Sequence, residues 1–394
     1  MTSILAVHQG GGVGGAPVSL VTLLRALDGQ RFQSRLVLTE PGPMADHARA
    51  LGVPVEIVPT GGAFFASAHA RVGPRMLARF VSTFPLALQR ARARLRQARP
   101  DVLHLNTSVL LAWAAAARRE GVPVVWVVRE VLSPQPTLRR LHASYIQRHA
   151  RDVVAISGAV RACFPTSACI HVVYNGVDLH EFRAELLAEA PAVRAELGLG
   201  PHQPTVMAIG SVQRPKGHWL LLDAFSRLAP DARLVLVAGG ADPSYARSPR
   251  GRLKRVLGLP LDSLDALLGD ARARGLAERI VVTGFRRDVP RLLTAADVLA
   301  CPSVAAEGFG RPIIEAMAMA RPVVATDVGP SHELLGPDAG LLVAPDAESL
   351  ARGLAELLDT SERRARMGQA GRRRVEACFT LDRQVTEMSA IYGG

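Results

Sequence analysis

Lysine is almost missing from this chain of 394 residues: it stands only at Lys216 and Lys254, and arginine supplies nearly all of the 47 basic residues. Against 35 acidic residues the formal net charge is +12. An excess of this size admits three kinds of partner: nucleic acid, an anionic membrane surface or phosphorylated substrates. A bias of arginine over lysine also arises from a GC-rich genome alone. Aromatic residues make up only 5%, and no basic motif with interleaved aromatics is present, which argues against nucleic acid. Cysteine is scarce. Cys163, Cys169, Cys301 and Cys378 include no Cys-x-x-Cys pair, so neither a zinc site nor a disulfide framework is expected, and a reducing cytosol is the simplest compartment. No apolar run approaches the ~18 residues that a membrane span needs. The opening MTSILAVHQ has no basic segment ahead of its apolar residues and reads as a first strand rather than a signal peptide. Asp-x-Asp occurs nowhere, so no metal-bound diphosphate and no cofactor is expected.

What is present is concentrated between Glu307 and Glu333, EGFGRPIIEAMAMARPVVATDVGPSHE. Pro312 suits the first position of a helix, where its missing N–H is no loss. Ile313, Ile314, Ala316, Met317, Ala318 and Ala320 give that helix an apolar body, and Pro322 ends it ahead of a short buried strand. A glycine loop feeding a helix start is an anion site, because the first N–H groups are unpaired and Gly308 and Gly310 let a ligand approach the backbone. Glu307 lies in that loop and Glu315 in the first turns of the helix. Carboxylates there would repel phosphate, so they must serve another part of the ligand, and hydroxyl groups are the natural partners. One glutamate could take ribose hydroxyls and the other sugar hydroxyls. The plainer alternative is that Glu315 favours the helix dipole and Glu307 is a solvated loop residue.

The stretch resembles the C-terminal donor-site signature of the retaining nucleotide-sugar glycosyltransferases of family 4, also called group 1. E-G-F-G, E-A-M-A eight residues after the first glutamate, P-V-V-A, a glycine turn and a further glutamate stand at the family spacing. The resemblance implies that Glu307 contacts the donor sugar and Glu315 the ribose, with the backbone amides of Phe309 and Gly310 facing the sugar or the diphosphate. Two positions depart from the pattern: Ala320 stands where a glycine is usual, and Pro330 where a second glycine follows Gly329.

Earlier in the chain, Ile4–His8 reads as a strand, followed by Gly10–Gly15 and an apolar helix through Leu27, the start of a Rossmann-like unit. No acidic residue closes the next strand convincingly, so a dinucleotide is not indicated. The resemblance places Gly14 and Gly15 at the interdomain cleft, near the diphosphate and the acceptor. In Arg71–Arg99 the arginines at 71, 75 and 79 recur on one helix face, and Arg90, Arg92, Arg94, Arg96 and Arg99 follow closely. Such a basic amphipathic segment can lie on anionic lipid, or can be ordinary solvated helix surface. Strands ending at Asn106 and just before Arg129 would deliver both residues to the acceptor side; the family commonly has histidine at the position of Asn106. His171–Phe182 matches the family's domain-junction motif, and the Ala/Glu-rich sequence at 180–200 reads as a hinge. A strand through Ile209 ends at Gly210 and Ser211, with Arg214 and Lys216 following. Lys216 stands where the family keeps a phosphate-binding lysine. The family arginine is Ser211 here, and Arg214 is its nearest substitute. Residues 241–262 read as a surface insertion, and nucleotide-base contacts are implied near Arg286–Val289.

Strands and helices alternate in both halves, an α/β pattern of parallel sheets. The resemblance implies the GT-B architecture: two Rossmann-like domains facing across a cleft, 1–182 joined by a C-terminal helix at about 378–394 as the acceptor domain, and 183–377 as the donor domain. It also implies retaining, metal-independent transfer of a sugar from a nucleotide-diphospho-sugar to a glycan or lipid-linked acceptor. The setting would be cell-envelope or polysaccharide assembly, in the cytoplasm or at the inner face of the plasma membrane. Glu307, Lys216 and Arg214 are the expected catalytic residues. Two other classes remain open: a sugar-nucleotide epimerase or phosphorylase on the same fold, and a nonenzymatic basic module that docks on membrane.

Overall fold

The computed structural model describes residues 1–27, 29–61, 73–165, 169–238 and 263–394. The expectations for Arg71 and for the insertion at 241–262 lie outside those residues. The chain forms two units, Met1–Gly176 with Phe379–Gly394, and Val177–Cys378. Each is a parallel sheet covered by helices.

The first unit holds a seven-stranded sheet in the order β3-β2-β1-β4-β5-β6-β7. Its strands are β1 (Thr2–His8), β2 (Phe32–Leu38), β3 (Val55–Ile57), β4 (Val102–Leu105), β5 (Val124–Val128), β6 (Asp152–Ala155) and β7 (Ile170–Val172). The central strands are continuous apolar runs. Ile4–Val7 and Val124–Val128 are buried along their whole length, as strands covered on both faces must be. Strand order reverses between β1 and β4, and ligand sites in such sheets gather at the carboxyl ends of strands at that point. The glycine loop after β1 and Asn106 after β4 both sit there. The last helix, Leu381–Gly393, belongs to this unit. Its Tyr392 is buried, with the hydroxyl 2.6 Å from Nδ1 of His104.

The Arg-rich region from residue 74 is one helix, Pro74–Ala98, continuous through Pro85. Only its second half is seated: Ala87, Ala91 and Leu95 are buried, whereas Leu77, Val81 and Leu86 are about half exposed or more.

The second unit holds a six-stranded sheet in the order β10-β9-β8-β11-β12-β13. Its strands are β8 (Thr205–Ile209), β9 (Arg233–Val237), β10 (Ile280–Val282), β11 (Val298–Cys301), β12 (Val323–Thr326) and β13 (Gly340–Val343). Here the order reverses between β8 and β11. The hinge-like stretch turns out to be ordered: Ala184–Glu189 is a 3-10 turn and Ala190–Glu196 a helix. Its carboxylates are not linker charge. Glu189 and Glu196 accept from Arg291, Glu196 also from Arg286, and Arg194 reaches the Ala295 carbonyl at 2.8 Å. Arg286 opens the stretch Arg286–Val289 where base contacts were expected, and it is further held by Asp288.

The loops after β8 and β11 touch at one point. Gly217 has φ +73°, and a Cβ there would lie 1.7 Å from the carbonyl oxygen of Pro302. The Val304 N–H donates to the Pro215 carbonyl at 2.9 Å beside it. The helix of the donor motif begins one residue earlier than its proline foretold, spanning Arg311–Ala318 with Pro312 second. Ala320, the first departure from the family pattern, adopts φ +52°, the left-handed conformation that glycine takes at least cost. Gly217→Ala should lower unfolding stability by about 2–4 kcal/mol, since it combines a backbone clash with a disfavoured φ. Urea denaturation followed by circular dichroism checks this; an unchanged midpoint would contradict the packing described.

Candidate functional site

Because β8 and β11 are neighbours at the reversal of strand order, their following loops deliver side chains to the same place. Lys216 Nζ forms an ion pair with Glu307 Oε2, and the Ser303 hydroxyl donates to Glu307 Oε1. Ser303 is fixed in turn by Thr326 at the end of β12, whose hydroxyl donates to its carbonyl. Lys216 and Glu307 are partly open, with 36% and 18% of their side chains exposed. Both line a concavity shared with His218, Cys301, Phe309 and Gly310. Sequence brought together Lys216 and Glu307. It did not single out Ser303 or His218 as site residues, and only the position of His218 directly after Lys216-Gly217 could have done so. Burial holds the His218 imidazole below its usual range; Lys216 pushes the same way, against the Gln213 carbonyl. Burial also pushes the Cys301 thiol far up, with Glu307 adding to the effect. A thiol held protonated in this way is unsuited to act as a nucleophile.

Gly310 precedes the helix with φ +101°, and no side chain caps that helix. Of the first-turn amides, Pro312 has none and Ile313 donates to the Gly310 carbonyl at 3.0 Å. Lys216 brings its positive charge directly to the lining of the concavity. Phe309 is buried and anchors the loop. Glu315 is 8% exposed. Its Oε1 accepts two hydrogen bonds from Arg311, from Nε at 3.0 Å and from Nη2 at 2.8 Å.

Arg214 stacks on an aromatic ring. Its guanidinium lies over the Trp219 ring, 4.4 Å from the centroid, and it is not among the side chains lining the concavity. Trp219 is itself held by Asp270 at 2.7 Å, so a cation–π contact directs Arg214 onto that ring. Gly210, with φ +142°, and Ser211 follow β8 directly. The Ser211 hydroxyl accepts from Gln213 at 3.1 Å.

In the first unit the expected acceptor-side residues are interior. Asn106 is fully buried: its Oδ1 accepts from Arg129 Nε at 2.6 Å, and its Nδ2 reaches His8 Nδ1 at 3.0 Å and the Ala16 carbonyl at 3.3 Å. Arg129 is 6% exposed and also donates to Asn175 at 2.7 Å. Asn106 stands at its strand end as expected, with its amide engaged in holding a buried guanidinium. Arg129 is held the same way, by amide oxygens, instead of standing ready for an acidic acceptor group. The neighbouring Glu130 is more open. Its Oε2 accepts from the Ser108 N–H at 3.0 Å, and burial raises its carboxyl, opposed by nearby N–H groups and Arg129. Gly14, with φ −163°, is the residue before the helix Gly15–Ala26, and a Cβ on it would come no nearer than 4.0 Å to Pro17. The packing of its own unit does not demand glycine there.

The arginines of the long helix divide by position. Arg92 and Arg96 both pair with Glu120, Arg94 pairs with Glu56, and Arg90 donates to the Pro59 carbonyl. They tie the helix to its own unit. Arg75 and Arg79 are exposed beside Leu77 and Val81. No described helix is long and apolar enough to cross a membrane. Among the described residues no three His, Cys, Asp or Glu side chains converge on a point that a metal ion could share.

Comparison with known proteins identifies relatives of both units. The model of glycosyl transferases group 1 matches residues 203–360, and that of glycosyltransferase family 4 matches residues 13–181. The alpha-maltose-1-phosphate synthase of Mycobacterium tuberculosis is 32% identical over 57% of this chain and 58% of its own length. The chain thus spans less than two thirds of that relative. The lipopolysaccharide core biosynthesis mannosyltransferase LpsB of Rhizobium meliloti is 28% identical over 71% of this chain and 78% of its own. Among solved structures, Anabaena HepE in complex with UDP and glucose superimposes with a TM-score of 0.79 over 100% of both chains at 23% identity, a likeness of fold.

The buried network of the first unit generates a test in pH. His8 and His104 are both held down to about 3 from an ordinary 6.5, chiefly by burial and then by Arg129. The unfolded chain binds these protons first, so stability is full above pH 6.5 and falls as pH drops toward 3, by about 1.4 kcal/mol per pH unit for each histidine inside that window. Urea midpoints should decline between pH 6.5 and 5, above most carboxylate titration, and His8→Gln should flatten the decline. A midpoint independent of pH over that interval would refute the buried neutral histidines.

Proposed function

Because the chain belongs to the group 1 and family 4 glycosyltransferases, we propose that it moves a sugar from a nucleotide-diphospho-sugar to an acceptor hydroxyl, with retention at the anomeric carbon and without a metal ion. The observation that carries the reading is the Lys216–Glu307–Ser303 cluster at the reversal of strand order in the second unit. A lone lysine on a flexible stem is a point charge that can follow a diphosphate. A carboxylate fixed at both oxygens is suited to receive sugar hydroxyls as Lys216 turns to phosphate, and is poorly suited to attack carbon. Glu307 is therefore the residue that positions the sugar.

The bond from the anomeric carbon to the diphosphate oxygen breaks, and its electron pair leaves with the diphosphate. Lys216 stabilises the charge that develops there. The acceptor oxygen bonds the same face of the carbon, and its proton passes to the departing phosphate oxygen, so no separate base is required. Glu315 is read as the acceptor of hydroxyls from the nucleotide ribose. Arg214, stacked on Trp219, is assigned no step.

The acceptor is read as a glycan or a lipid-linked sugar, in envelope or polysaccharide assembly, with the protein in the cytoplasm at a membrane face. What supports the membrane is the first half of the helix Pro74–Ala98, which exposes Leu77 and Val81 beside Arg75 and Arg79. Apolar side chains that enter the acyl boundary, flanked by cations for anionic headgroups, are the chemistry of interfacial helices.

Two tests follow. With the preferred nucleotide sugar, Lys216→Ala and Glu307→Gln should each lower kcat by ~10²–10³, as loss of one preorganised group does, and chelator should leave the wild-type rate unchanged. Near-full turnover in Glu307→Gln, or a rate abolished by chelator, would contradict the mechanism. Sedimentation with anionic vesicles should retain the protein at low salt, and Leu77→Glu with Val81→Glu should release it. Retention unchanged by those two substitutions would remove the helix as the contact.

A further inference from the structure

Glu315 poses an electrostatic problem. It is 8% exposed and sits one helical turn inside a glycine-led helix start whose Gly310, Pro312 and Ile313 line the concavity. An anionic carboxylate there would repel the diphosphate that the same loop is meant to receive. Arg311, the first residue of that helix, resolves this. It stands four residues before Glu315, on the same helix face, and both of its hydrogen bonds to Glu315 end on Oε1.

We propose that Arg311 is the positioning residue for nucleotide recognition: by clamping Oε1 it cancels the charge of Glu315 and orients Oε2 toward the vicinal hydroxyls of the ribose. This rests on the reading of the second unit as a nucleotide-sugar site. The clamp is asymmetric, and the asymmetry is what matters. A fork-to-fork pair would engage both carboxylate oxygens. Here two N–H groups share one oxygen, so the other keeps its lone pairs for hydroxyl donors. A neutralised pair accepts hydroxyl protons without raising the local negative potential, whereas a bare carboxylate cannot do both. Lysine in place of Arg311 would keep the charge but lose the planar, two-point hold.

The test compares ribose with deoxyribose. UDP, GDP and ADP are titrated calorimetrically to find the one that binds, followed by its 2′-deoxy and 3′-deoxy forms. The wild type should prefer the ribonucleotide by about tenfold or more, the size of a charge-assisted hydrogen bond. In Arg311→Met that preference should fall to about threefold or less, and in Arg311→Lys it should be intermediate. Glu315→Gln should reduce it as far as Arg311→Met does, and the double variant no further. If Arg311→Met fails to fold, Arg311→Lys and Glu315→Gln carry the comparison. A folded Arg311 variant with wild-type ribose preference overturns the proposal, as does a wild type that binds the nucleotide without discriminating deoxyribose. If no nucleoside diphosphate binds the wild type at all, the donor-site reading fails, and the proposal falls with it.

Discussion

The second unit depends on how closely two loops can approach. β8 and β11 lie side by side at the reversal of strand order, and Gly217 presses against the Pro302 carbonyl at a distance no side chain could permit. That contact places Lys216 over Glu307. The Ser303 hydroxyl and Thr326 then fix the carboxylate from beneath. A parallel sheet supplies the frame, but the backbone contact sets how near Lys216 and Glu307 can stand.

Both units place charge in low-dielectric surroundings, and each satisfies it differently. In the first, Arg129 is buried among the amide oxygens of Asn106 and Asn175, beside two histidines kept neutral. In the second, opposite charges meet directly, Lys216 with Glu307 and Arg311 with Glu315. The first arrangement has its polar atoms committed to the fold. In the second, the Lys216–Glu307 pair is partly open and can be exchanged for ligand contacts, which is why the donor chemistry is assigned there. The same distinction sorts the arginines of the helix Pro74–Ala98. Those paired with Glu120 and Glu56 hold the helix in place, and Arg75 and Arg79 near its start are exposed.

Much of this was legible in the sequence because it is local. The loop, helix and strand from Glu307 onward follow from glycine, proline and apolar periodicity, and the strand ends follow from short runs such as Val124–Val128. Lys216 stood out in a chain with two lysines. What the sequence could not display is pairing across the fold. Arg214 reads as a loop cation until Trp219 captures it. Asn106 reads as a strand-end polar group until His8, Ala16 and Arg129 consume its amide. The Ala/Glu-rich stretch reads as a linker until Arg286 and Arg291 pair with its glutamates. In each case the missing information was a partner about five to a hundred residues away.

The central claim, that the donor site is built on the loops after β8 and β11, is tested most directly by amide hydrogen exchange with and without a bound nucleotide sugar. The account predicts protection concentrated in peptides covering 210–218 and 303–318. Protection absent from both segments, with a nucleotide sugar demonstrably bound, would contradict it.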